Sequence, residues 1–535
     1  MVGGLGRRLW LRVRTRASAP GAAADPSADR LPDRPTWEQV RTAVRAAPSA
    51  DTANELAGLL LAVDRAGEPR LVEEAGQLLL TADPRTWLTL DTALRQRWRE
   101  APHWSALAVR RLGHGKSTPL GLALAACHPD GRVRKAAVVR LAGSADALAA
   151  QVLALRAADW AQAVRDPARA ALAHRLAHTP TTVVPRAAAL ALALRGRQRG
   201  RWLADRVDAL FREGPAEALS AALTTSDLRT RRAAYLTALD AGRLDLGQLV
   251  FAAQCDSDLS IRVRCAGPAV RTATAAGRTD LVRALLSSGT AQVRAEALHA
   301  LVQQGDTASA TAALSDRHPT VRAVAQAAVR RAGSDPAAHY RRLVTAPRPA
   351  PGAIAGLGET GTSDDVPLLT TQLKHSGARG RAAAVRALRR LGAADPDTVS
   401  ALLTDPCSAV TRQVTVALRP RAHCLDASWL RELLAEDRPW HVRTAAYRLL
   451  HARDTWTRLL TDLDLVTDPS PTLRNRARND LANWLAREAA TTYAVPQGSA
   501  ADALARRIDE VEDVLGPQKV RRLRFCLGLR TTRGI

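Results

Sequence analysis

One segment returns along this chain at nearly constant spacing: a short polar turn, then Val-Arg or a close variant, then an Ala-rich stretch. The copies read HPDGRVRKAAVVRLA, DWAQAVRDPARAAL, DSDLSIRVRCAGPAV, SGTAQVRAEALHAL, DRHPTVRAVAQAAV, HSGARGRAAAVRAL, DPCSAVTRQVTVAL, DRPWHVRTAAYRLL and DPSPTLRNRARNDL. Arg381, Arg412, Arg443 and Arg474 stand 31 residues apart, as do Arg134 and Arg165, while Arg264, Arg294 and Arg322 step by 30 and 28. Between copies lie VPLLTTQL (366–373), LRELLAE (430–436) and TRLLTDL (457–463), with apolar residues at helical spacing. Each unit therefore reads as a helical hairpin. A hairpin of this size cannot bury its apolar face alone and must stack on its neighbours, so the fold class is all-α, an α-solenoid of stacked helical hairpins.

The 535 residues exceed what one globular core needs, which leaves several domains or one extended array. Composition selects the array, because 46% of residues are hydrophobic but only 3% aromatic, and Ala, Leu and Val must build the interior. Lysine occurs only at Lys116, Lys135, Lys374 and Lys519, so nearly all of the 77 basic residues are Arg, and the formal net charge is +25. That surplus favours nucleic acid or any acidic surface without saying which. The six cysteines contain no CxxC pair, indicating neither a disulfide framework nor a zinc site; they read as buried small hydrophobes in a reducing compartment. Arg7-Arg8 followed by Leu9, Trp10 and Leu11 has the look of a twin-arginine export signal. Arg12, Arg14 and Arg16 break the apolar run of roughly 7–15 residues that export needs, so residues 1–35 read as a basic disordered tail. No apolar run reaches the ~18 residues of a membrane span. A cytoplasmic protein with no membrane partner is expected.

Residues 353–392, AIAGLGETGTSDDVPLLTTQLKHSGARGRAAAVRALRRLG, resemble a HEAT repeat of the short kind found in phycobiliprotein lyases and many bacterial scaffolds, and the resemblance extends over residues 120–485. It implies an armadillo-type superhelix, with left-handed helix closures at Gly358, Gly361 and Gly392. It also implies an Asp in the turn six residues before each second-helix Arg, the two forming a ladder between neighbouring repeats. Here the pairs are Asp159 with Arg165, Asp258 with Arg264, Asp316 with Arg322, Asp437 with Arg443, and Asp468 with Arg474. Arg134 has His128 in that place, Arg294 has Ser288, and Arg412 has Asp405 one residue further back, so weaker or absent rungs are expected there. Before the array, residues 36–119 read as degenerate or capping repeats opened by a Thr36–Gln39 capping box. The array spans 120–346, PRPAPG at 347–352 marks a bend, a second array spans 353–490, and 491–535 close the chain with capping helices.

Candidate chemistry is sparse. GHGKST (113–118) has four letters of a nucleotide loop, but position 110 is Arg where that loop needs Gly, and the preceding SALAVRRL is helical where it needs a strand. Helix capping by Gly113 and Thr118, with Pro119 in the first turn, accounts for it. His174 and His178 share a helix face without a third ligand. No His-Glu dipeptide of the kind repeated in HEAT di-iron hydroxylases occurs. HEAT-like DNA glycosylases use a carboxylate and aromatics in a basic groove; Asp159 beside Trp160 and Asp437 near Trp440 are of that type, but both aspartates belong to the turn pattern and the tryptophans read as packed between repeats. No catalytic, cofactor or metal site and no small-molecule substrate is indicated.

The functional expectation is a scaffold whose concave face holds another macromolecule, a protein first, with nucleic acid as the alternative. For the latter the candidate contacts are Arg195, Arg197, Arg199 and Arg201 in RGRQRGR, which the repeat pattern does not use. Further basic clusters are Arg229, Arg231 and Arg232, then Arg386, Arg389 and Arg390, and KVRRLR at 519–524.

Overall fold

The computed structural model describes residues 35–46 and 49–529, so the expected tail lies, apart from Pro35, outside the described residues. Among these residues every regular element is helical. They divide into two compact units, one running to Ala252 and including Asp256–Cys265, the other made of Ala253–Cys255 and the residues from Ala266 onward. Each unit is a row of helices packed on their neighbours in chain order, which is the all-α solenoid of stacked hairpins expected from the repeat.

Local chemistry sets the helix ends. Thr36 and Gln39 form the anticipated capping box, and Ser49, Asp83, Thr118, Asp146 and Asp245 also cap with their side chains. In the GHGKST stretch Gly113 lies inside the helix Pro102–His114, and Gly115, at φ 73°, ends it. Thr118 then accepts from Gly121 N at 2.9 Å and starts the next helix. Of the three glycines expected to close helices, only Gly392 is left-handed (φ 75°). Gly361 is extended, and Gly358 sits within Pro351–Thr360, where a Cβ would lie 2.4 Å from Cα and Cβ of Ala387. That glycine lets two helices approach closely.

The Pro-rich stretch 347–352 does not divide the array. One core runs from Ala291 to Leu450 through Tyr340, Ile354, Leu357 and Leu388, because Pro351 occupies the first turn of the next helix and continues the stacking. Two cysteines, Cys127 and Cys265, are buried as expected; Cys255 and Cys424 are exposed. Trp160, in a turn, and Trp440, at the start of a helix, are also exposed, so neither is packed between repeats as expected. No helix among the described residues is long and apolar enough to cross a membrane.

Candidate functional site

The periodic arginines tie one repeat to the next through partners that lie in different turns from those the spacing names. Four of the turn Asp side chains use one carboxylate oxygen to accept the N–H two residues ahead: Asp159 from Ala161 (2.9 Å), Asp316 from His318 (2.7 Å), Asp405 from Cys407 (2.8 Å) and Asp468 from Ser470 (2.9 Å). The carboxylate also receives a guanidinium from the preceding second helix. Arg134 reaches Asp159 (3.0 and 3.2 Å), Arg294 reaches Asp316 (2.8 and 2.7 Å), Arg381 reaches Asp405 (2.7 and 3.0 Å), and Arg443 reaches Asp468 (2.5 Å). Within its own turn the Arg bonds a backbone carbonyl six residues back, as Arg134 does to His128 (2.9 Å), Arg165 to Asp159 (3.1 Å), Arg294 to Ser288 (2.8 Å), Arg322 to Asp316 (2.7 Å) and Arg474 to Asp468 (2.7 Å). A carbonyl is present whatever the side chain. His128 and Ser288, expected to weaken their rungs, therefore leave Arg134 and Arg294 fully bonded.

Other rungs shift. Asp258 receives Arg232 (3.0 Å), Asp256 forms an ion pair with Arg231 (3.3 Å) and its carbonyl receives Arg262, while Arg264, two residues out of register, is exposed without a partner. Arg231 and Arg232 belong to Leu228–Asp240, a further copy of the second helix, signalled only by SDLRTRRAA. Asp437 is exposed and unpartnered, and Arg443 donates to Leu434 O (2.7 Å) instead. Arg322 turns to Glu359. Thr411, not Arg412, takes the inward position, its hydroxyl 3.4 Å from Asp405 O, and Arg412 is exposed.

Asp159 is unsuited to glycosylase chemistry. Its carboxylate is fully buried and held by Arg134 and Arg156 (2.8 Å), with Asp91 on the far side of Arg156 (2.6 Å). In the RGRQRGR loop Arg195 pairs with Asp208 (2.6 Å), whereas the exposed side chains of Arg197, Arg199 and Arg201 have no partner. Beside them the guanidinium groups of Arg169 and Arg206 each lie over the Trp202 ring, 4.9 Å from its centre. His174 and His178 stack at 4.2 Å.

One constellation escaped the repeat pattern. Tyr447 and His451 lie one turn apart on Trp440–His451, Asp462 projects from Thr455–Leu465, and Asp480 from Pro471–Asn483. The Tyr447 hydroxyl donates to Asp462 Oδ1 (3.0 Å), and His451 Nε2 lies 2.8 Å from the same oxygen. Asp462 is fully buried, its Oδ2 meets no N–H or hydroxyl donor, and its carboxyl hydrogen-bonds that of Asp480. Burial first, then the neighbouring Asp480, pushes its carboxyl up to about 9, and burial pushes the His451 imidazole down to about 4. Burial alone would raise Asp480, but Arg458 (2.6 and 3.0 Å) outweighs it and holds that carboxyl below its ordinary value. Arg458 also pairs with Glu488 (2.8 Å). Asp480 borders a shallow depression of about 480 Å³ lined by Asn475, Asn479 and Asn483. His451, Asp462 and Asp480 could together hold a cation. The signal in the sequence is Asp462 itself, an acid on the apolar stripe Leu459, Leu463, Val466.

No protein-family model matches the chain, and no curated protein does. Among solved structures, a crystal structure of an engineered protein from the Northeast Structural Genomics Consortium is similar at 18% identity with a TM-score of 0.21, covering 74% of this chain and 98% of its own.

Proposed function

We propose that the chain is a non-catalytic scaffold of HEAT type that holds a protein partner against the exposed faces of its second helices. The observation that carries this is a row five residues after each inward-facing position. In the second unit it holds His299, Ala327, Arg386, Val416, Arg448 and Asn479, all exposed. Five residues is about 140° around a helix, so a row anchored by the ladder on one side is presented to solvent on the other. A mixture of apolar and Arg side chains, with lysine nearly absent, suits a protein interface. Arg386 has no partner of its own; burial first, then Arg322, Arg390 and Arg412 around it, lowers its proton affinity, which favours an acidic partner residue. Cross-linking in the native cell, followed by Arg386→Glu with Val416→Asp, tests this. A partner that cross-links to these helices and is lost in the double variant supports the reading; cross-links confined to other surfaces refute it.

The second reading, nucleic acid, is favoured by the exposed, unpartnered Arg197, Arg199 and Arg201 beside Arg169 and Arg206, an arrangement able to contact phosphates. It expects fluorescence anisotropy with labelled single-stranded and duplex probes to show log K falling by about 0.7–0.9 per phosphate contact for each tenfold rise in salt. Changing the three arginines to Ala should remove most of the binding. Salt-insensitive binding, or none, eliminates it.

A further inference from the structure

We propose that His451, Asp462 and Asp480 form a binding site for a divalent first-row metal ion of the zinc class. Three successive helices deliver an imidazole and two carboxylates whose candidate ligand atoms all lie within 4.8 Å of one another. A tetrahedral cation about 2.0–2.2 Å from each donor holds its donors about 3.3–3.6 Å apart, so side-chain adjustments on the order of 1 Å close the site. Asp462 Oδ2, on a fully buried side chain, meets no N–H or hydroxyl donor and has only the Asp480 carboxyl beside it. A cation between the two carboxylates would satisfy oxygens that no protein donor reaches.

Charge points the same way. With a divalent ion bound, Asp462, Asp480 and Glu488 balance the ion and the guanidinium of Arg458, three negative charges to three positive. Arg476, on the exposed rim of the depression, adds a further positive charge from the solvent side. The supporting shell is in place, since Tyr447 orients Asp462 and Arg458 orients Asp480. The depression beside Asp480 gives an entry path. One imidazole among carboxylates suits zinc or manganese, whereas magnesium prefers oxygen donors and keeps its waters.

The experiment dialyses the metal-stripped full chain against Zn²⁺, then measures retained zinc and the thermal midpoint, with Mg²⁺ in parallel. Wild type should retain one zinc per chain and melt at higher temperature with zinc, with little effect of Mg²⁺. Asp462→Asn keeps an acceptor for Tyr447 and His451, so it should fold without metal at least as well as wild type yet lose on the order of 100-fold or more in zinc affinity. Should that variant fold poorly, His451→Gln supplies the comparison and must show the same loss. Zinc retained equally by the folded variants, or not retained by wild type, overturns the assignment.

Discussion

Asp159 and Asp437 occupy the same place in the repeat pattern and should respond oppositely to the same substitution. Asp159→Asn keeps the acceptor for Ala161 N–H but removes the charge facing Arg134 and Arg156, both almost entirely sequestered from water. Removing one partner of a buried ion pair costs about 3–5 kcal/mol, because the remaining charge stays buried without compensation. Asp91 still meets Arg156 but is not within reach of a hydrogen bond to Arg134, so most of that penalty should remain. Asp437 is exposed with no partner, and Asp437→Asn should stay within about 0.5 kcal/mol. Native-state hydrogen exchange suits a repeat array, whose unfolding need not be two-state. At about 1.4 kcal/mol per tenfold, Asp159→Asn should raise the opening constants of amides in Gly131–Ala142 and Gln162–His178 by two to nearly four orders of magnitude. Asp437→Asn should leave Trp440–His451 unchanged. A change below tenfold for Asp159→Asn, or equal changes for the two, would refute the ladder as described.

Gly358→Ala should lower the urea midpoint of the second unit, because the added methyl overlaps Ala387 and overpacking costs about 1–3 kcal/mol; an unchanged midpoint would mean that the helices part freely. His128 is buried between Ser105 and the turn, and burial first, with Arg134 nearby, holds its imidazole down at about 4. A depressed folded value adds stability above the unfolded value of 6.5 and loses it as pH falls, so the first unit should weaken by about 1.4 kcal/mol per pH unit between 6.5 and 4. His128→Gln should flatten that slope in denaturation curves taken across the range. Trp160→Ala should leave stability within about 0.5 kcal/mol, since the ring is mostly solvent-exposed.

The sequence by itself determined what depends on near neighbours. Helical spacing, turn residues and the recurring Asp and Arg specify hairpins and their capping, because an Asx cap spans two residues and a helical face repeats every 3.6. Only the tertiary structure decided which repeat completes each rung, since the carboxylate that receives Arg134 or Arg294 lies more than twenty residues along the chain. It also decided register. Arg412 keeps the 31-residue period, yet one residue turns a helix by about 100°, enough to put Thr411 inward and Arg412 in water. The constellation at Asp462 follows the same rule: its acid on an apolar stripe is visible in TRLLTDLDL, but that His451 and Asp480 meet it is a consequence of how three helices stack.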